Sequence, residues 1–302
     1  MSFIRSKLNI ILLLSLPLNA FSQSDTTEIV SVADTGKSAK AGTGHSLYSS
    51  LGYGSNMIYL GSTISQNQSF GFTTVTYGFN NELFASASAI HLTNYSPFLP
   101  FYNFSLNYGH AFNSWFDISL GLSRYQLDKS QSDTLFSSFS YGDVTLGIDW
   151  RLLYSKITAG GLLADENQAF FQFRNSRYFQ TPEFFRNKIF VSFDPYINLV
   201  FGTLIKAESS TEISYTSSDP FRPKGSGGLS TTATTSSTTL STNILYSKIF
   251  GLMEVEFGLP VSINFDRITI EAGASYVLPT YKSDFITPGG FVFLLSGSFR
   301  IF

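Results

Sequence analysis

Three histidines, His45, His91 and His110, are the imidazoles available for general acid or base catalysis. None has the company that would make it a catalyst. No serine occupies a Gly-x-Ser-x-Gly elbow, no two histidines stand at metal-ligand spacing, and the chain has no cysteine, which removes thiolate nucleophiles and disulfides together. His91 and His110 are expected near opposite ends of their strands, so they do not converge. Asp117 and Asp143 form the one candidate carboxylate pair, and without a partner base they read more simply as a salt-bridging element. The expectation is a protein without catalysis, cofactor or metal.

The acidic residues carry a second pattern. Asp117, Asp143, Asp194, Glu254, Glu256 and Glu271, with Arg300, sit on the face opposite the apolar residues of their strands. On a strand, alternate side chains point to opposite faces, so these groups would line whatever interior the strands enclose. Six carboxylates against few cations make an acidic lining, which favours cations or polar neutral solutes if water fills it. If the interior is filled instead, the same groups are hydrogen-bonded to neighbouring Ser, Thr, Tyr and Arg.

The elements that hold these groups repeat every two residues. Tyr102, Phe104, Leu106 and Tyr108 alternate with Asn103, Ser105, Asn107 and Gly109; Phe116, Ile118, Leu120 and Leu122 follow with their own polar partners. Only Asn113 and Ser114 separate the two runs cleanly, and Asn80-Asn81 and Asp266-Arg267 divide other runs in the same way. Between these tight turns lie longer connections at 66–69, 93–100, 128–138, 164–187, 217–239 and 280–289. Strands are therefore expected near 46–61, 69–79, 82–92, 101–112, 115–127, 139–149, 152–163, 188–201, 203–216, 240–265, 268–279 and 290–302. The total is twelve, even so that both ends leave on one side, with ten as the count if two segments prove to be loop.

Composition says what surrounds them. Charged residues make up 13% of the chain and aromatics 16%, with 31 Phe and 16 Tyr. A water-soluble fold would have to hide these rings, whereas a barrel can turn them toward lipid. Phe79, Phe84, Phe112, Trp115, Phe116, Trp150, Tyr154, Phe201, Phe265 and Phe302 are expected near the tight turns as an interfacial girdle. A net charge of -2 offers no basic stripe for nucleic acid.

At the start, Arg5 and Lys7, an apolar stretch from Ile10 to Leu18 and Ala20-Phe21-Ser22 read as a signal peptide over 1–22, cleaved before Gln23. A polar, aperiodic segment over 23–44 reads as a flexible periplasmic linker, and 45–302 as the barrel. The Ser/Thr and Gly-rich stretch 217–239 is a low-complexity loop. The connection 164–187 is unusual, with Phe170, Phe171, Phe173, Tyr178 and Phe179 interleaved with Arg174 and Arg177. It is expected to fold inward as a constriction or to form an external binding platform, unless its aromatics only pack extended strands.

Leader, alternating strands, unequal turns and the closing Ser298-Phe299-Arg300-Ile301-Phe302 resemble the outer-membrane β-barrel proteins of Gram-negative bacteria. Tyr- and Phe-rich strands with Gly-Tyr-Gly at 52–54 are similar to uncharacterised barrels of the Bacteroidota type. The resemblance implies an all-β, transmembrane, antiparallel up-and-down barrel in the outer membrane, in contact with lipid and recognised by the barrel-assembly machinery through its last strand. One departure stands out: counting back by twos from Phe302 meets Arg300, Ser298 and Ser296, so the apolar phase is displaced by one residue. Three functions follow: passage or binding of small polar solutes, a closed surface-binding or structural barrel using 164–187, and a lipid-active enzyme.

Overall fold

The computed structural model describes residues 44–65, 67–94, 98–99, 101–127, 138–164, 167–184, 189–208, 213–217, 245–281 and 289–302. The leader at 1–22, all but Gly44 of the segment 23–44, and nearly all of the loop 217–239 lie outside the described residues. Twelve antiparallel strands form a closed wall: β1 (His45–Gly54), β2 (Phe70–Phe79), β3 (Leu83–Leu92), β4 (Phe101–Ala111), β5 (Phe116–Leu127), β6 (Phe139–Asp149), β7 (Tyr154–Leu163), β8 (Gln168–Ser176), β9 (Tyr196–Glu208), β10 (Leu245–Asn264), β11 (Ile268–Pro279) and β12 (Gly290–Arg300). Each pairs with its sequence neighbour, and β1 pairs with β12 from Tyr48↔Arg300 to Gly54↔Leu294 to seal the ring. At a strand spacing of ~4.8 Å and a tilt near ~40°, the wall is roughly 24 Å across.

Alternation assigns the faces. Leu51, Tyr53, Val75, Phe104, Leu106, Leu122, Leu259, Phe293 and Leu295 all stand exposed on the outside, while Ser50, Thr74, Asn103, Ser123, Ser262 and Ser296 are buried inside. No closed water-soluble fold leaves such a continuous apolar belt uncovered; hydrocarbon is the solvent it suits. At the tight-turn rim Phe79, Phe112, Trp115, Trp150, Phe265 and Phe302 are exposed as a girdle. Asn80 and Asn81 both take positive φ, 53° and 56°, the conformation of a two-residue hairpin turn that asparagine tolerates.

Three expectations need correction. Phe84 and Tyr154 turn inward and leave the girdle: Phe84 is buried, and Tyr154 donates to Asp117. Phe201 also leaves it, because no turn separates 188–201 from 203–216. Phe190–Phe193 and the first residues of β9, 196–200, keep one register against β10, with Phe193↔Val261 and Tyr196↔Gly258, interrupted only at Asp194-Pro195 where proline has no N–H to give. Gly202 is a packing site and not a turn: a Cβ there would stand 3.0 Å from the Phe170 ring. Ile213–Ser217 forms only a short strand beside the far end of β9.

The segment 164–187 is the third. Gln168–Ser176 is a wall strand, paired with β7 on one side and β9 on the other. Beyond it Phe179–Gln180 continues against Ser192–Phe193 in the same register, so the β8–β9 hairpin turns at the tight-turn rim, opposite to the expected side. The count of twelve holds because the strand gained here replaces the one lost by fusing two segments into β9.

Candidate functional site

The interior divides into two tiers. Toward the long-loop rim it is apolar: Phe70, Phe72, Ile90, Leu92, Phe101, Tyr125, Leu127, Phe139, Tyr141, Leu162, Phe170, Leu204, Met253 and Leu294 belong to one buried cluster. At its centre is a segment of the β1–β2 connection. Met57, Tyr59, Leu60 and Ile64, all at most 2% exposed, fold back into the barrel as a plug.

The plug is a miniature hairpin. Ile58–Tyr59 pairs with Ser62–Thr63, and the turn between them puts Leu60 at φ 49° and Gly61 at φ 77°. Positive φ at both central residues makes the turn tight; for leucine that conformation costs about 1–2 kcal/mol, and burial of its side chain offsets the cost. Asn56 organises the base: its side-chain oxygen accepts from Thr63 at 2.8 Å and Ser65 at 2.7 Å, and its Nδ2 donates to Asn67 at 3.0 Å. Tyr59 then reaches across to β5 and β6, with ring centres 5.5 Å from Tyr125, 5.7 Å from Phe139 and 5.8 Å from Tyr141. Tyr281 donates to the Gly61 carbonyl, tying the turn to the end of β11. The sequence reading extended β1 to residue 61; the chain leaves the wall after Gly54.

A bulge in β10 fits the wall to the plug. Val200 pairs with Glu254 and Phe201 with Leu252, leaving Met253 as the extra residue. Met253 and Glu254 are consequently both buried, the first packed by Gly61 and the second starting the polar tier.

The polar tier holds the carboxylates, most of them along β8 to β11. Arg174 Nη2 lies 3.6 Å from Asp194 Oδ2, and its guanidinium carbon lies 3.6 Å from the centre of the Tyr196 ring. Tyr196 donates to Glu256 at 2.9 Å, Ser262 to Glu271 at 3.0 Å, and Asn264 to Ser192 at 3.2 Å. Asp194, Glu254, Glu256 and Glu271 are each at most 6% exposed, so this bank concentrates negative charge inside the wall. Facing strands β2 to β4 contribute Thr74, Ser88, Asn103 and Asn107, which carry none. Glycines make room for the rings that bridge strands: a Cβ on Gly258 would stand 2.1 Å from Tyr196, and one on Gly160 would stand 2.1 Å from the Tyr141 hydroxyl.

The remaining candidates scatter. Asp117 accepts from Tyr154 at 2.8 Å, while Asp143 lies beside Thr145, which bonds Thr158 at 2.7 Å. They are not a pair. Asp117 is opposite Gly147 and Asp143 opposite Gly121, four residues apart along the strands and so roughly 13 Å. Arg300 shares the inward phase of β12 and its Nε donates to the Phe302 carbonyl at 3.4 Å. Of the residues expected on one binding loop, Phe170 and Arg174 point inward from β8, whereas Phe171 and Phe173 take its outward phase. Arg177, Tyr178 and Phe179 lie beyond the strand at the tight-turn rim, where Arg177 donates to Leu152 O at 2.8 Å. Strand alternation separates them, so no single loop surface collects these seven residues. The histidines also stay apart: His91 contacts Phe98 at the long-loop rim, and His110 bonds Glu82 at 2.9 Å at the other.

No family model matches the sequence, and no curated protein matches it. Among solved structures the chain is similar to the NanC porin, at 9% identity and a TM-score of 0.43, covering 84% of this chain and 100% of that one. It is similar at the same identity to LpxR from Salmonella typhimurium, TM-score 0.43, covering 83% and 99%, and to a bacterial polysaccharide outer membrane secretin, TM-score 0.42, covering 86% and 99%. The fold is a closed, twelve-strand, antiparallel up-and-down β-barrel.

Proposed function

We propose that this protein resides in the bacterial outer membrane and admits small polar, preferentially cationic, solutes to its lumen, with residues 55–67 as the gate at the outer mouth. No catalytic step, cofactor or metal enters this reading. The observation that carries it is the acidic bank of Asp194, Glu254, Glu256 and Glu271 enclosed by a sealed wall directly beneath an inward-folded segment. Buried carboxylates are costly to keep unless they are paired or serve a purpose. An acidic ring below a removable stopper has one: it concentrates cations at the constriction and repels anions. Asp117 and Arg300 extend the polar lining toward the tight-turn rim, and Asp143, two residues from Tyr141 on β6, adds a carboxylate at the edge of the apolar tier.

Export completes the reading. The leader at 1–22 is removed on passage through the inner membrane, the tight-turn rim faces the periplasm, and the end of β12 with the two residues after it presents Phe299, Ile301 and Phe302 to the assembly machinery.

A competing reading has its own support, since the apolar tier is packed from wall to plug like a protein core. In that case the barrel is permanently closed and acts at its surface or as structure. Replacing Asn56–Asn67 by a short Gly-Ser turn and recording from planar bilayers separates the two. A cation-selective conductance that the parent lacks supports the gate. A silent bilayer, with the variant folded and heat-modifiable on gels, removes it.

A further inference from the structure

We infer that the crevice between the plug and the outer ends of β10 to β12 binds a primary ammonium group carried on a short alkyl chain. The site shares Glu254 with the acidic bank and its outer wall with the plug, yet it stands whether or not the barrel conducts. The crevice has a volume of about 60 Å³, with Glu254, Asn56, Thr63 and Asn67 on its polar side and Ile58, Val277, Phe291 and Val292 on its apolar side. That is room for roughly four waters, or for an ammonium and a few methylenes.

Glu254 supplies the reason for a cation. Its side chain is 1% exposed, and its Oε1 accepts no hydrogen bond. A carboxylate oxygen removed from water without a donor forfeits more than a typical hydrogen bond is worth. The plug gives it none, because Asn56 spends both side-chain atoms within the plug, on Thr63, Ser65 and Asn67. The inward cation on β8, Arg174, is engaged by Asp194 and the Tyr196 ring, and Glu256 two residues along β10 adds like charge.

The walls select the kind of cation. A hard metal ion asks for six or more oxygens, and much of this lining is hydrocarbon. An ammonium needs three acceptors. Glu254 Oε1 provides one, and the Asn67 and Thr63 side-chain oxygens stand on the same wall. An alkyl chain then lies along Ile58, Val277 and Val292. The exposed residues Asn67 and Phe291 border the mouth.

The test uses the full chain refolded in detergent and follows its thermal midpoint at constant ionic strength. Titration with n-propylammonium chloride should raise the midpoint saturably, while tetramethylammonium, which has no N–H, and sodium should not. Glu254→Gln should weaken the propylammonium response at least tenfold. Gly290→Leu is a second probe: this inward position lines the crevice and a Cβ there meets nothing within 4 Å, so the longer side chain occupies the space without a clash at its root. It should abolish the response even if E254Q fails to fold. Equal responses to propylammonium and tetramethylammonium, an unchanged response in both variants, or a saturable response to sodium in place of propylammonium would each overturn the assignment. Conductance is not read in this experiment, so its failure and that of the gate are separate results.

Discussion

Tyr59 is where the proposed gate is most vulnerable. Its side chain is wholly buried, with three aromatic rings of β5 and β6 within 6 Å of its centre. Truncating such a residue to alanine costs about 3–5 kcal/mol, of which each ring contact supplies about 0.5–1.5 kcal/mol. Nearly all of that cost falls on the docked plug, because an undocked Tyr59 faces water and loses little on truncation. At about 1.4 kcal/mol per factor of ten, Tyr59→Ala should raise the ratio of undocked to docked plug by roughly a hundred- to a few thousandfold. Single-channel recording at fixed voltage reads this as an equal rise in the ratio of open to closed time, at unchanged unitary conductance, because the wall is intact. Tyr53→Ala is the control, since Tyr53 is 56% exposed on the lipid face and touches no part of the plug cluster. The reasoning fails if Y59A opens no more often than Y53A, or if its unitary conductance changes while its open probability does not. The first result means that Tyr59 holds no gate. The second means that it shapes a path already open.

Two further outcomes are expected. Neutralising Glu256 and Glu271 together to glutamine should lower the cation preference measured by reversal potential in a salt gradient; an unchanged preference would leave these groups a purely structural role. Gly160→Ala should lower stability to urea by about 1–3 kcal/mol, because its Cβ would overlap the Tyr141 hydroxyl, whereas Gly161→Ala, whose Cβ meets nothing within 4 Å, should stay within about 1 kcal/mol of the parent. Tryptophan fluorescence in detergent reads both, and equal losses would refute the ring-over-glycine account.

Where lipid dictates the pattern, the sequence is legible. Tyr102 to Tyr108 and Phe116 to Leu122 alternate because one face must be greasy along its whole length, and Asn80-Asn81 announces its turn by residue type. The face on which Glu254, Glu256 and Glu271 stand follows from the phase of their apolar neighbours. Legibility ends where both faces are apolar. In β8 the inward Phe170 packs against Gly202 while Phe171 and Phe173 face out, so the two-residue period disappears and the strand reads as a loop. The rule that turns are short on one side also misled there, since the β8–β9 hairpin is long on that side. The plug escaped notice because Met57 and Tyr59 continue the odd-numbered apolar spacing of Leu51 and Tyr53 in β1. The signal available was Gly54-Ser55-Asn56, a break in a strand, followed by Leu60-Gly61, a turn too close to be another crossing.

The extra residue at Met253 has a consequence for how the chain tolerates insertion and deletion. Above it the odd positions of β10 face the apolar tier; below it the even positions, Glu254 through Asn264, face the polar one. One strand thus carries two reading frames of side-chain orientation, spliced at a single residue. Removing Met253 would join the two frames into one unbroken alternation: Leu252, facing out, would directly precede the inward Glu254, Phe250 would stay outside and Ile249 inside, and Val200-Phe201 would pair with Glu254 and Leu252 without a bulge. The strand can therefore lose that one codon without turning any neighbouring side chain to the opposite face, and what it gives up is only the thioether that fills the space beside Gly61.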